Sequence, residues 1–282
     1  MGNIVRLNRA QRQFKSAACC AEATGHQSSM CDLLQLMGAD VGDDPLATSV
    51  LVPIRILHAG DTLFHAGFAA AAIYFVRSGT FKIFQTADDG YEQVLGFAGR
   101  AEVLGFDALC MGQYPTAAVA LEHASVFVVL VQDIFALAQR IPVFDRVLHL
   151  AVSRALTRRG DLADAMAAVA AEVRLARFLV QLSQRAAACG QSPCRFHLRM
   201  SRRDIASHLG VAHETVSRSF SALARWGLVR VDDREVEITD MVGIKSLTCS
   251  TRRPVDQPVA QGPRQTYVRH AVNKPMTHAV AG

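Results

Sequence analysis

Between residues 50 and 131 the chain changes from apolar to polar and back in short runs: Val50–Leu57, Ile73–Val76, Phe81–Phe84, Val94–Phe97 and Ala118–Val131. Turn-forming stretches separate them, at His58–Asp61, Ala66–Gly67, Ser78–Gly79, Ala87–Gly90 and Ala98–Arg100. Short strands broken by Gly turns at near-regular spacing predict an all-β barrel or jelly roll. After Pro142 the period lengthens. No Pro occurs up to Ala170, and Leu148, Val152, Ala155, Arg159, Leu162, Met166, Val169 and Val173 follow one another in alternating steps of four and three. That is the a/d seam of a long helix, and small and branched residues over three heptads favour a paired seam over a helix lying along its own domain. Arg159 is the one charge on the stripe. Two copies facing each other across a two-fold axis repel, unless each reaches solvent or pairs with Asp161 or Asp164.

A third pattern spans Met200–Leu223. Ile205, Leu209, Val216 and Phe220 supply apolar contacts between two short helices, Ala206 is small where they cross, and Gly210 can adopt the positive φ that ends the first. This spacing predicts a helix-turn-helix. Glu214 and Arg218, four apart, share a face of the second helix with Ser217. An Arg fork matches guanine O6 and N7, a carboxylate accepts from a cytosine amino group, and a hydroxyl tolerates either polarity, so these three are the candidate base readers of double-stranded DNA. Ser201 is placed as N-cap, and Ser201, Arg202, Arg203 and Thr215 are the candidate contacts to the DNA backbone. Val229–Val231 and Glu235–Thr239 read as a hairpin that makes the module a winged helix, with Trp226 as a core plug.

Charge fits this reading. Residues 195–231 hold Arg195, Arg199, Arg202, Arg203, Arg218, Arg225 and Arg230 against Asp204 and Glu214, a local net of +5 equal to that of all 282 residues. With 50% hydrophobic residues the chain can hold two cored domains, and no apolar run reaches the ~18 residues of a membrane span. The start, Met1–Lys15, is basic without an apolar segment of secretory type, which predicts a cytoplasmic protein with a flexible arm. Seven Cys, an odd number, are expected to be reduced thiols. The expected fold class is α+β: a flexible arm (1–44), a cyclic-nucleotide-binding-like β-roll (45–141), a long dimerisation helix (142–170), a C-terminal winged helix-turn-helix (171–245) and a disordered basic tail (246–282) that adds non-specific DNA affinity.

Arg55–Gly67, Ile73–Ile83 and Leu104–Ala108 in the roll, followed by the long helix and the helix-turn-helix, resemble the CRP/FNR superfamily of bacterial regulators over about residues 45–245. Gly105–Ala108, Ala171–Phe178 and Glu214–Arg218 are most similar to its FNR and FixK branch. The resemblance implies a homodimer paired through the long helices, and Glu214, Ser217 and Arg218 as readers of inverted TTGAT-like half-sites. It also implies gene control linked to oxygen, nitrogen oxides or redox state. Thr86–Gly90 falls where activators of the family touch RNA polymerase, although a solvated acidic turn reads the same way.

Cyclic-nucleotide binders of that superfamily carry Gly-Glu and then Arg-Ser/Thr-Ala. Here Phe106 follows Gly105, the later stretch is Tyr114–Ala117, and no Arg or Lys lies between Gly105 and Glu122. Cyclic AMP is therefore not expected. Oxygen-sensing members hold a 4Fe–4S cluster on Cys-x2-Cys-x5-Cys and a fourth Cys in the roll. This chain offers Cys19, Cys20 and Cys31, with Phe127 at the roll position and Cys110 elsewhere in the roll. Free thiols are expected ahead of an iron–sulfur cluster, and no His singles out a haem site. The alternative is a cupin-type metal-binding enzyme or sensor built on His58 and His65. It lacks a His-x-His with a following Glu, and no catalytic triad, phosphate loop or dinucleotide fingerprint occurs, so no enzyme is expected.

Overall fold

The computed structural model describes residues 26–42 and 44–250. Strands β1 (Gln27–Ser29), β2 (Leu51–Leu57), β4 (Ala72–Ser78), β7 (Val103–Leu104) and β9 (Ala124–Leu130) form one sheet, ordered β1-β2-β9-β4-β7. Strands β3 (Thr62–Phe64), β5 (Phe81–Thr86), β6 (Glu92–Ala98) and β8 (Ala117–Ala120) form a second, ordered β3-β8-β5-β6. All pairings are antiparallel. Leu57, Val76, Phe81, Ala118 and Val126 fill the space between the sheets, while Ile54, Ile73, Phe75, Phe127 and Val129 point the other way into a helix-covered core. With both faces buried, β9 reads as an apolar run interrupted only by Ser125. The expected single run Ala118–Val131 is thus two strands, divided by a turn at 121–123. Gly79, at φ +86°, carries the β4–β5 turn over β9; a Cβ there would sit 2.5 Å from that of Ala124.

The expected flexible arm is corrected by the structure. Ser29 caps helix α1 (Met30–Leu36) through a reciprocal capping box with Asp32, and Met30, Leu33 and Leu34 are fully buried. These residues with Met37 follow the i, i+3, i+4, i+7 stripe of an amphipathic helix, so they complete the core under β4 and are part of the roll. Residues 1–25 of the arm, with Cys19 and Cys20, lie outside the described residues. Helices α2 (Pro45–Ser49), α3 (Ala108–Met111) and α4 (Val131–Arg140) follow, and then the long helix α5 (Pro142–Ala167).

After a break at 168–170, α6 (Ala171–Ala188) leads into the reading head: β10 (Arg195–His197), α7 (Arg202–Leu209), α8 (His213–Arg225), β11 (Val229–Asp232), β12 (Glu235–Ile238) and α9 (Met241–Thr248). The wing is a three-stranded sheet ordered β10-β12-β11. The tail does not begin at 246. Asp240 caps α9, Ile244 and Leu247 are buried, and Arg177 donates to the carbonyls of Thr248 and Ser250. Residues 251–282 lie outside the described residues. The core of the head, including Leu175, Leu179, Ile205, Val216 and Phe220, is continuous with Phe84, Val94 and Phe97 of β5 and β6. The head therefore rests on the second sheet of the roll.

Candidate nucleic-acid interface

The local chemistry of Met200–Leu223 produces the expected turn. Ser201 accepts from the N–H of Asp204 at 3.1 Å, while the Asp204 carboxylate accepts the Ser201 N–H at 3.0 Å. Gly210 ends α7 in the left-handed region, its N–H directed to the carbonyls of Ala206 and Ser207. Ala212 begins α8 without a side-chain cap, so the N–H groups of His213 and Glu214 stay available to an anion, while that of Thr215 donates to the Ala212 carbonyl at 3.0 Å. Val216, Ser219, Phe220 and Leu223 form the buried face of α8, and Glu214, Ser217 and Arg218 are exposed on the opposite one. Among the described residues neither Glu214 nor Arg218 has an ion-pair partner. The two do not close on each other as an ordinary surface pair, and both ends face outward.

The four candidate backbone contacts divide. The Ser201 hydroxyl is consumed by its cap, donating to Asp204 at 2.6 Å. Arg202 turns inward: its guanidinium lies 3.7 Å over the Phe220 ring and donates to the Asp233 carbonyl at 2.8 Å. It ties α8 to the wing in this conformation. Arg203 is exposed and Thr215 half-buried. The local charge is also partly spent, because Glu237 accepts from Arg195 at 3.0 Å and Arg230 at 2.8 Å, and Arg199 pairs with Glu122 of the roll at 3.0 Å. Of the seven arginines, Arg203, Arg218 and Arg225 stay unpaired among the described residues. Trp226 is 39% exposed, which corrects its placement as a core plug; it is the C-cap of α8, where its backbone N–H meets Ala222 and Ala224.

The expected seam of α5 is divided: Leu148 and Val173 are buried, Val152, Ala155 and Leu162 half-buried, and Arg159, Met166 and Val169 exposed. Leu148 lies in the roll core, while Ala155, Arg159 and Leu162 border an open cavity of about 310 Å³ between the roll, α5, α6 and α7. Arg159 reaches Asp107 at 3.5 Å and is 72% exposed. Val152 is half-buried, and Met166 and Val169 are 42% and 74% exposed. The outward stripe of α5 runs one residue later: Ser153, Leu156, Gly160, Ala163 and Ala167 are all exposed. Arg158 also reaches the cavity, paired with Glu102 at 2.6 Å. Arg185 joins it from α6, donating to the Phe97 carbonyl at 2.9 Å. These guanidiniums come from α5 and α6, outside the Gly105–Glu122 stretch that holds no Arg or Lys.

Cys31 and Cys110 are free thiols, and among the described residues no three His, Cys, Asp or Glu side chains converge on a metal position. Phe127 fills the roll core at 1% exposure. The described residues hold two of the four candidate cluster ligands, Cys31 and Cys110, while Cys19 and Cys20 lie outside them. The histidines of the cupin reading have separate neighbours. His58 faces Asp61 and the His123 ring, and His65 packs on Phe68. The histidine that does reach the cavity, His208, belongs to the reading head.

Two family models match the chain: a Crp-like helix-turn-helix domain over residues 173–247 and a cyclic nucleotide-binding domain over residues 54–140. The transcriptional regulatory protein btr of Bordetella pertussis is 38% identical over 198 residues, which cover 70% of this chain and 82% of the relative. The transcriptional activator protein FnrA of Stutzerimonas stutzeri is 33% identical over 239 residues, 85% and 94% of the two chains. Among solved structures, FixK2 from Bradyrhizobium japonicum aligns with a TM-score of 0.60 at 24% identity, over 70% of this chain and 98% of that one. This last likeness is one of fold.

Proposed function

Since the chain belongs to the CRP/FNR superfamily of DNA-binding transcription regulators, on its FNR side, we propose that it acts as a homodimer reading an inverted repeat of TTGAT-like half-sites. It is a regulator, not an enzyme. The observation that carries the site reading is the outward, unpaired face of Glu214, Ser217 and Arg218 on α8. In this reading the Arg218 fork takes guanine O6 and N7, Glu214 accepts from a cytosine amino group, and Ser217 bonds a neighbouring base edge. Arg203, Thr215 and the uncapped start of α8 hold phosphates. Two-fold symmetry makes the site palindromic.

Among the described residues no helix is long and apolar enough to cross a membrane. The proposed place of action is the cytoplasm, and the proposed setting is gene control linked to oxygen, nitrogen oxides or redox state. RNA polymerase is the proposed partner of the exposed turn around Asp88 and Asp89, with activation as the outcome. The test is fluorescence anisotropy on a TTGAT/ATCAA palindrome and on random DNA of equal length. Arg218→Ala is expected to cost about 1–3 kcal/mol on the palindrome and little on random DNA. Equal losses on both reduce Arg218 to a phosphate contact.

A further inference from the structure

Nothing in the local sequence ends α5 at Ala167. The stretch Ala167–Ala171 is four alanines and one valine, rich in the best helix former and without the Gly or Pro that breaks a helix. Yet Ala168 and Ala170 are extended, at ψ 135° and 132°, and α6 begins afresh at Ala171. Contacts made elsewhere in the fold must hold the break.

Two side chains of α6 make such contacts. Arg174 and Arg177 are three apart on one helical face, are half-buried, and donate to backbone carbonyls. Arg174 Nε donates to the Ala168 carbonyl at 2.7 Å, and its Nη1 to the carbonyls of Leu209 at 2.9 Å and Gly210 at 3.4 Å. Arg177 donates through Nη1 to the Asp164 carbonyl, through Nε to that of Thr248 at 3.0 Å and through Nη2 to that of Ser250 at 3.2 Å. Asp164 lies in the last turn of α5, Leu209 ends α7 and Thr248 ends α9. Carbonyls at these positions have no partner inside their own helices and sit at the negative end of the helix dipole, so a guanidinium there gains both hydrogen bonds and field. Its planar fork also reaches two strands of backbone at once, which a single ammonium does not. The end of α5 packs on the helix-turn-helix as well. A Cβ on Gly210 would lie 3.3 Å from the Met166 methyl and 3.7 Å from Arg174 Nη1.

We propose that Arg174 and Arg177 are positioning residues for DNA reading: they pin the end of α5 to the ends of α7 and α9 and so fix the angle between the long helix and α8. Neither lies on α8, and each acts through the backbone of the helices around it. In a two-fold dimer this angle sets the distance and twist between the two copies of α8. Moving a half-site by one base pair displaces it by about 3.4 Å and turns it by about 34–36°. A pinned head cannot follow that movement and a loosened head can.

Fluorescence anisotropy of the full chain tests the pins on TTGAT/ATCAA duplexes with spacers of three, four and five base pairs, and on a duplex with one half-site. The parent protein is expected to prefer one spacing by at least about tenfold. Arg174→Met and Arg177→Met keep an apolar stem and remove the donors. Each is expected to bring that preference below about threefold, while the single half-site binds within about twofold of its original affinity. Arg174→Lys, with one nitrogen in place of the fork, is expected to fall between parent and Arg174→Met. Cooperative thermal unfolding separates loosening from misfolding, and if Arg174→Met does not fold, Arg177→Met and Arg174→Lys carry the same reading. An intact spacing preference in the variants overturns the proposal, and so does an equal loss on every duplex, which marks a structural role alone. The spacing measurement rests on the palindrome reading proposed above, whereas the angle is measured without DNA. Double electron–electron resonance reads it between nitroxides on p-acetylphenylalanine in place of Thr157 of α5 and Ser221 of α8, both exposed, in labelled chain diluted with unlabelled chain. A narrow distance distribution in the parent and a broadened one in Arg174→Met are expected. Equal widths overturn the pins whichever DNA sequence the head reads, while a parent protein indifferent to TTGAT sinks the sequence reading and leaves the widths to decide the pins.

Discussion

Two adjacent arginines with the same sequence signature have different work in the folded chain. Arg202 and Arg203 both open α7, and the sequence offers no reason to separate them. The structure separates them by helical phase: Arg202 lies over Phe220 and bonds the wing at Asp233, and Arg203 is exposed. Arg202→Ala is therefore expected to destabilise the reading head by about 1–2 kcal/mol, from a partly desolvated cation–π contact and a lost charged hydrogen bond. Arg203→Ala is expected to leave the unfolding midpoint alone and lower the salt slope of DNA binding by about one. Denaturant melts and anisotropy against salt read the two effects separately, and the converse assignment sinks this distinction. What was legible at single positions was local: the Ser201 cap and the Gly210 turn each depend on neighbours within four residues. Trp226 was misplaced because its burial depends on how the chain leaves α8 through Gly227, at φ +72°, which side-chain size does not encode.

Helix α5 shows how one period can carry more than one apolar face. A long helix from Pro142 to near Ala170 was legible from the steps of four and three, and it runs Pro142–Ala167. Its apolar positions, however, serve two clients. Leu148 belongs to the roll core and Ala155 and Leu162 to the cavity, while the outward stripe is built from Leu156, Gly160, Ala163 and Ala167. Alanine and glycine carry little hydropathy signal, so the apolar residues facing inward set the apparent seam. Small residues nonetheless let two helices approach closely, with Leu156, 62% exposed, as the apolar anchor. Sedimentation equilibrium is the check on the proposed dimer. Leu156→Glu is expected to weaken it by at least about tenfold, because a carboxylate at the seam has no partner to offset its desolvation. Arg159→Leu is expected to change the constant by no more than about twofold, in line with an exposed ion pair. Strong tightening by Arg159→Leu with an inert Leu156→Glu places the seam on the Arg159 face instead. The same masking hid α1, whose stripe of Met30, Leu33, Leu34 and Met37 is too short to stand out beside a basic start.

At the scale of the molecule, the least legible feature is that the reading head is docked on its own sensor. Ser207 donates to the Glu92 carbonyl at 2.8 Å and accepts from the Val94 N–H, and Gln93 donates to the Ser207 carbonyl at 2.8 Å. Lys82 of the roll approaches Asp204 at 3.4 Å. These partners lie more than a hundred positions apart, and a serine inside a helix announces no such role. His208 is buried in the same joint, and burial, with the Arg185 charge nearby, holds its imidazolium down to about 4 from an ordinary 6.5. Unfolded chains then bind this proton at a higher pH than folded ones, so stability is complete above pH 6.5 and falls as pH drops toward 4. The full difference is on the order of 3 kcal/mol, concentrated where head meets roll. Charging His208 also adds a second positive charge within reach of Arg185, which the apolar flanks Phe97 and Phe178 cannot solvate. The expected outcome is that denaturant stability and the emission of the lone Trp226 change together across that window. His208→Phe, which keeps a ring between the same neighbours and cannot titrate, is expected to flatten the profile to the slope set by the carboxylates. Profiles of equal slope in both proteins mean that the joint is insensitive to the charge on His208, and that the head is held by Ser207 and its backbone partners alone.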